Sequence, residues 1–144
     1  YSVIFKYHDH ITNISNLYFL VKYITEKINN ICETKYDINL IKMYRLLFFT
    51  KLLYLFGVGP NFKNCTLCGS NNAYNFSVSV GGLICEKCKC DDKFTGDYIG
   101  LLKVLYLGKL DVFQEDLLSE YVSFYENINK LLKIYYDKYL GIRL

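Results

Sequence analysis

The stretch CTLCGSNNAYNFSVSVGGLICEKC, residues 65–88, carries two Cys-x-x-Cys pairs sixteen residues apart, with Gly81-Gly82 between them. A Cys-x-x-Cys turn lets two sulfurs reach one metal ion, and a structural zinc site takes four ligands in a tetrahedron. Gly69 follows Cys68 at a place where such a turn gains from a residue without a Cβ. Residues 74–80 (YNFSVSV) alternate, and two glycines between them and Leu83-Ile84-Cys85 read as a tight hairpin. That hairpin folds the second pair back onto the first. The arrangement is zinc-ribbon-like, with Cys65, Cys68, Cys85 and Cys88 as the expected ligands.

Other readings of the cysteines are weaker. Disulfides need an oxidising compartment that nothing in the sequence indicates. A thioredoxin-like site uses one Cys-x-x-Cys at a strand-to-helix junction rather than two pairs around a hairpin. Iron fits the same ligand set and stays open beside zinc. Cys90 could stand in as a ligand, but Cys88 keeps the Cys-x-x-Cys geometry; Cys32, on a helical pattern, reads as a buried thiol. Four thiolates leave no open coordination position, so the site is expected to hold shape rather than perform catalysis, at about 10–16 kcal/mol of apparent binding energy.

Around this segment the pattern is helical. From Ser15 or Asn16, the residues Leu17, Leu20, Val21, Ile24, Ile28 and Ile31 recur at helical spacing. A second helix begins near Asp37 or Asn39 and runs to Phe56, apolar on most faces as a central helix would be, until Gly57, Gly59 and Pro60 stop it. After the polar turn of residues 90–97 (CDDKFTGD), with Thr95 or Asp97 as helix cap, residues 98–107 form a short apolar helix. Residues 113–140 read as the longest helix. Its stripe includes Leu117, Leu118, Tyr121, Tyr125, Ile128, Leu131, Leu132, Tyr135 and Tyr139. Acids Glu115, Asp116 and Glu120 come early in it and Lys130, Lys133 and Lys138 late, as the helix macrodipole favours. Residues 1–14 stay uncommitted, a linker remnant or strand end.

The expected fold is therefore mainly α: one helical domain over residues 15–144 with a zinc-binding β-hairpin inserted at about residues 61–93. A length of 144 residues suits one domain, and 52% hydrophobic residues exclude disorder. The chain begins with Tyr1 rather than Met, as a fragment would.

Charge bounds the partners. Residues 1–60 hold seven Lys/Arg against four Asp/Glu, and residues 61–144 hold ten of each, so the cysteine-bearing part has no net basic charge. A zinc ion on four thiolates adds roughly −2, which brings the net charge of +3 to about +1. A strong electrostatic grip on DNA by this chain alone is not expected. The most apolar run, residues 44–58, carries Arg45 and Lys51 and is too short to span a bilayer, and Lys6, His8, Asp9 and His10 interrupt the first residues, which therefore do not read as a signal peptide. The cytosol is the default compartment. The richness in Tyr and Phe fits an AT-rich coding bias as well as it fits a stacking surface.

No phosphate-cradling glycine loop, His-Glu-x-x-His or nucleophile elbow occurs, so no enzyme activity is expected. His8 and His10 read as a solvated polar patch.

An ordered set of segments resembles the C-terminal part of the RecO family of bacterial recombination mediators. It comprises LLYLFGVGP (residues 52–60), CTLCGS (65–70), FSVSVGGLIC (76–85) and YYDKYLGIRL (135–144). Lys138-Tyr139-Leu140-Gly141 stands where the family has a His-Leu-Gly-like sequence, so the histidine is absent. The resemblance implies a non-enzymatic helper of recombinational DNA repair that binds single- and double-stranded DNA and anneals complementary strands. It also implies partnership with RecR, with single-stranded DNA-binding protein and, indirectly, with RecA. By the same resemblance the four cysteines are the metal ligands. The family's N-terminal OB-fold is not readable in residues 1–15. For DNA contact, the exposed basic residues beside the cysteines, Lys63, Lys87, Lys89 and Lys93, are the candidates, with Glu86, Asp91 and Asp92 opposing them. The rival reading is a zinc-stabilised protein-interaction module that does not itself bind DNA.

Overall fold

A computed structural model describes residues 14–144. All of the uncommitted N-terminal segment except Ile14, which opens the first helix, lies outside that range, as do the two histidines. Its centre is the helix α2 (Ile38–Leu55), preceded by α1 (Ile14–Thr34). Asp37 caps α2 from an extended backbone, its carboxylate accepting from the N–H groups of Asn39 and Leu40. Nine side chains of α2 are buried, spread over most of its faces, and α1, α3, α4 and α5 all pack against it. That is why the helix lacks a polar stripe.

After the hairpin strands β1 (Asn75–Ser77) and β2 (Gly82–Ile84) come α3 (Tyr98–Leu107), a 3-10 turn at Leu110–Val112, and α4 (Glu115–Glu120). A second 3-10 turn at Val122–Phe124 leads into α5 (Tyr125–Leu140). The expected single helix over residues 113–140 is thus broken in two, and α1, with 21 residues, is the longest helix. The break falls at Tyr121 (φ −112°, ψ 16°), where aromatic and β-branched residues, all weak helix formers, follow one another. The kink lets α4 and α5 each lie against α2. It also separates the charges: Glu115 and Asp116 head α4, while Glu126 heads and Lys138 ends α5.

Two further expectations fail for local reasons. Cys32 is exposed, because the buried stripe of α1 runs through Leu17, Leu20, Ile24 and Ile31, and one residue further on turns the side chain outward. Val21, next to Leu20, is exposed in the same way. Asp97 starts α3 in helical conformation with no side-chain cap, and the first N–H groups of that helix are met by the Gly96 and Asp97 carbonyls instead.

The hairpin packs into the same core as the helices. Phe76, Val78 and Ile84 are buried with Phe62, Leu131 and Tyr135, and the Phe76 and Tyr135 rings lie 6.2 Å apart. The Tyr135 hydroxyl donates to the Val58 carbonyl at 2.6 Å, and the Tyr139 hydroxyl donates to the Val78 carbonyl. Lys51 of α2 donates to the Tyr106 carbonyl at 2.9 Å and to that of Gly108, closing the C-terminal end of α3. Among the described residues no buried side-chain polar atom lacks a hydrogen-bond partner, and no helix is long and apolar enough to cross a membrane.

Candidate metal centre

β1 and β2 pair antiparallel, with Asn75 opposite Ile84, Phe76 opposite Leu83 and Ser77 opposite Gly82. Residues 78–81 therefore form a four-residue loop, and Gly82 already belongs to β2, so the expected two-glycine turn is corrected. The carboxylate of Asp92 organises this loop. It accepts from the Ser77 hydroxyl at 2.8 Å, from the Val78 N–H at 2.9 Å, from the Ser79 N–H at 3.0 Å and from the Ser79 hydroxyl. Burial pushes the Asp92 carboxyl up, but these donors outweigh it and hold it below its ordinary value.

Two strands of three residues are marginal alone, and here both outer edges are covered. Phe94 bonds reciprocally to Phe76 along β1 (2.9 and 2.7 Å), and Asn61 bonds to Gly81 and Leu83 along β2 (3.0 and 2.9 Å). A Cβ on Gly82 would come within 2.6 Å of the Asn61 carbonyl, so this strand position admits only glycine. All three residues of β1 are buried, which removes the expected alternation. Its polar side chains are satisfied inside, Asn75 donating to Glu86 at 3.0 Å and Ser77 to Asp92.

The sheet brings the cysteine turns together. In the first, the Gly69 N–H donates to the Cys65 carbonyl at 2.8 Å, with Gly69 at φ +79°. The same turn is tied to β2 by the Thr66 N–H donating to the Leu83 carbonyl at 2.8 Å. In the second turn, the Cys85 N–H points at the Cys65 sulfur at 3.4 Å. The four sulfurs of Cys65, Cys68, Cys85 and Cys88 lie within 4.8 Å of one another. Cys65 and Cys88 are 3.8 Å apart, and Cys68 and Cys85 3.6 Å. A tetrahedral zinc with Zn–S of about 2.3 Å sets its sulfurs roughly 3.8 Å apart, so the cage fits that ion. Cys90 lies outside the cluster.

The thiols are shifted unequally. Burial pushes Cys65 up, but the N–H groups of Cys68, Cys85 and Leu67 outweigh it and hold it at about 6. The Cys88 N–H holds Cys85 down against burial. Hydrogen bonds from Cys85 and then Cys68 push Cys88 up to about 12. Cys68 is drawn down by the Ser70 N–H but raised on balance by Cys65 and Cys85. Four crowded thiols do not all ionise by themselves, and a divalent cation at this site would supply the charge that makes all four thiolates.

The basic candidates divide. Lys63, Lys87 and Lys89 are exposed, whereas the Lys93 ammonium faces the Cys85 and Glu86 carbonyls at 3.4 and 3.3 Å and so braces the second cysteine turn. Sequence reasoning missed Asp92 as the organiser of the loop, having read it as a charge opposing DNA. The two serines at positions 77 and 79 were the available signal, since they sit on alternate residues beside a turn.

A family model described as Recombination protein O C terminal matches residues 22–144. A DNA repair protein RecO from Desulforamulus reducens is 31% identical over 104 residues, covering 67% of this chain and 40% of that protein. One from Listeria monocytogenes is 29% identical over 105 residues (65% and 38%), and one from a Thermoanaerobacter species 32% over 97 residues (64% and 38%). The chain spans about two-fifths of the length of these relatives. No solved structure matches it. Because the matched span takes in the cysteine cage, the hairpin and the helices that clasp them, the chain belongs to the RecO family through that family's C-terminal region.

Proposed function

We propose that this chain serves DNA repair as the C-terminal part of a non-enzymatic recombination mediator. In this reading residues 15–144 bind single- and double-stranded DNA, RecR and single-stranded DNA-binding protein. They promote strand annealing and RecA loading in the cytoplasm, at the nucleoid. Cys65, Cys68, Cys85 and Cys88 hold a structural zinc within residues 61–93. Bound there, the ion has no open position and supplies rigidity rather than chemistry. The observation that carries the reading is a closed four-sulfur cage seated in a helical body that matches the family over residues 22–144.

The test has two parts. Metal analysis is expected to return one zinc per colourless chain, and a coloured chain with a reversible optical change would point to iron instead. Titration of a labelled single-stranded oligonucleotide by fluorescence anisotropy at two salt concentrations is expected to show salt-sensitive binding. No binding at low salt would move the reading to a protein-interaction module. The ten-to-ten charge balance of residues 61–144 favours that second reading, as does an apolar cleft of about 430 Å³ between α3 and α4, walled by Val104, Phe113, Leu117 and Phe124.

A further inference from the structure

Two exposed tyrosines flank one lysine on the face formed by α2, α3 and the cysteine segment. Tyr54, at the end of α2, is 66% exposed, and Tyr74, just before β1, is 71% exposed. Between them the chain runs through Lys63, whose ammonium has no hydrogen bond or ion pair among the described residues. Lys63 lines two neighbouring clefts. One, of about 450 Å³, is walled by Tyr54, Tyr106, Phe62 and Pro60. The other, of about 380 Å³, is walled by Tyr74, Ala73, Ile99 and Lys103. Both volumes suit a small planar ligand.

The first cleft is the more sharply defined. The Tyr54 and Tyr106 rings stand 6.3 Å apart at 72° to each other, so they make a corner: one face open to stack on, one ring to meet an edge. Tyr106 is held from behind by Phe62, with ring centroids 5.2 Å apart. The back of the cleft carries the Lys51 ammonium, fixed by the Tyr106 and Gly108 carbonyls, and no carboxylate lines the wall. In the second cleft the single acid, Asp97, is outnumbered by Lys63 and Lys103.

An aromatic face, an exposed cation and a second aromatic face repeat the order of a nucleic-acid strand: base, phosphate, base. Duplex bases are already stacked and closed to such rings. We propose that Tyr54, Lys63 and Tyr74 form a track for unpaired bases of one single strand, with Lys63 meeting a phosphate of the stretch between the two rings. The assignment rests on the DNA-binding reading above, and charge complementarity together with the open tyrosine faces carries it.

The chain contains no tryptophan, so Tyr54→Trp installs a lone fluorescent reporter at the stacking position. Titrated with oligothymidylate at low salt, its emission is expected to fall as the strand binds, and to stay unchanged with an abasic strand of equal length. In anisotropy, Tyr54→Ala is expected to weaken oligothymidylate binding about tenfold, with Tyr74→Ala in the same direction, and neither to alter binding of the abasic strand. Lys63→Ala should lower the slope of log affinity against log salt by about one. Equal affinity of the wild type and both tyrosine variants would overturn the track while leaving DNA binding intact, as would an unquenched tryptophan in a saturated complex. Equal quenching by a free mononucleotide would reassign the corner to nucleotides. A wild-type chain that binds no strand at low salt would remove the DNA-binding reading and the track with it.

Discussion

Tyrosine, with fifteen copies, is the residue on which this core turns. Tyr44, Tyr135 and Tyr136 are almost wholly buried, and each hydroxyl donates to a main-chain carbonyl: Phe113 at 3.1 Å, Val58 at 2.6 Å, and Phe49. Tyr23 does the same at the Leu110 carbonyl, at 2.8 Å. The rings fill the core, and the hydroxyls meet main-chain carbonyls: those of Val58 and Phe113 in connecting segments, that of Phe49 inside α2 and that of Leu110, which also accepts from the Phe113 N–H. Tyr135→Phe should therefore cost about 0.5–1.5 kcal/mol in urea denaturation, the net worth of its bond to the half-buried Val58 carbonyl. Asp92 gives a pH signature. Its carboxyl is held below its ordinary value in the fold, so its contribution is complete above the unfolded value of about 3.9 and is lost as pH falls through the lower folded value. Wild-type stability should fall across that acidic window by more than in Asp92→Asn, which no longer titrates there.

At the level of elements, the apolar spacing that located α1, α2 and α3 carried no signal for the break between α4 and α5. Leu117, Leu118, Tyr121, Tyr125 and Ile128 keep helical spacing straight through the 3-10 turn, so periodicity reads one rod where packing against α2 requires two. The cysteine cage was legible because four identical ligands in two pairs admit few arrangements. The four-residue loop between β1 and β2 was not, because it depends on Asp92, distant in sequence from the serines it ties. Two glycines show the same contrast. Gly100 lies inside α3 with open space around a would-be Cβ, so Gly100→Ala should stabilise the protein by about 0.5–1 kcal/mol. Gly82→Ala should cost more than that gain, since its Cβ would strike the Asn61 main chain on the neighbouring segment. Paired thermal melts of the two variants read both signs.

For the whole molecule, the hairpin and the helices share one core, so the candidate metal site is not an appendage. Phe76 touches Tyr135, and Val78 is tied to Tyr139 of the same helix. Removing the metal with a chelator should accordingly do more than free residues 61–94. Hydrogen exchange is expected to rise first at β1, β2 and the two cysteine turns, and then along the last turns of α5. The face of α2 that packs on α1 should change least. A uniform loss of protection, or none in α5, would contradict this coupling.

The bond from Tyr139 to Val78 spans 61 positions, and both Cys-x-x-Cys turns lie on the early side of α5. A growing chain therefore presents all four thiols to its surroundings before the tyrosines that clamp the hairpin have been made. In the structural-zinc reading, a metal captured early would shield those sulfurs before α5 exists to clamp the hairpin.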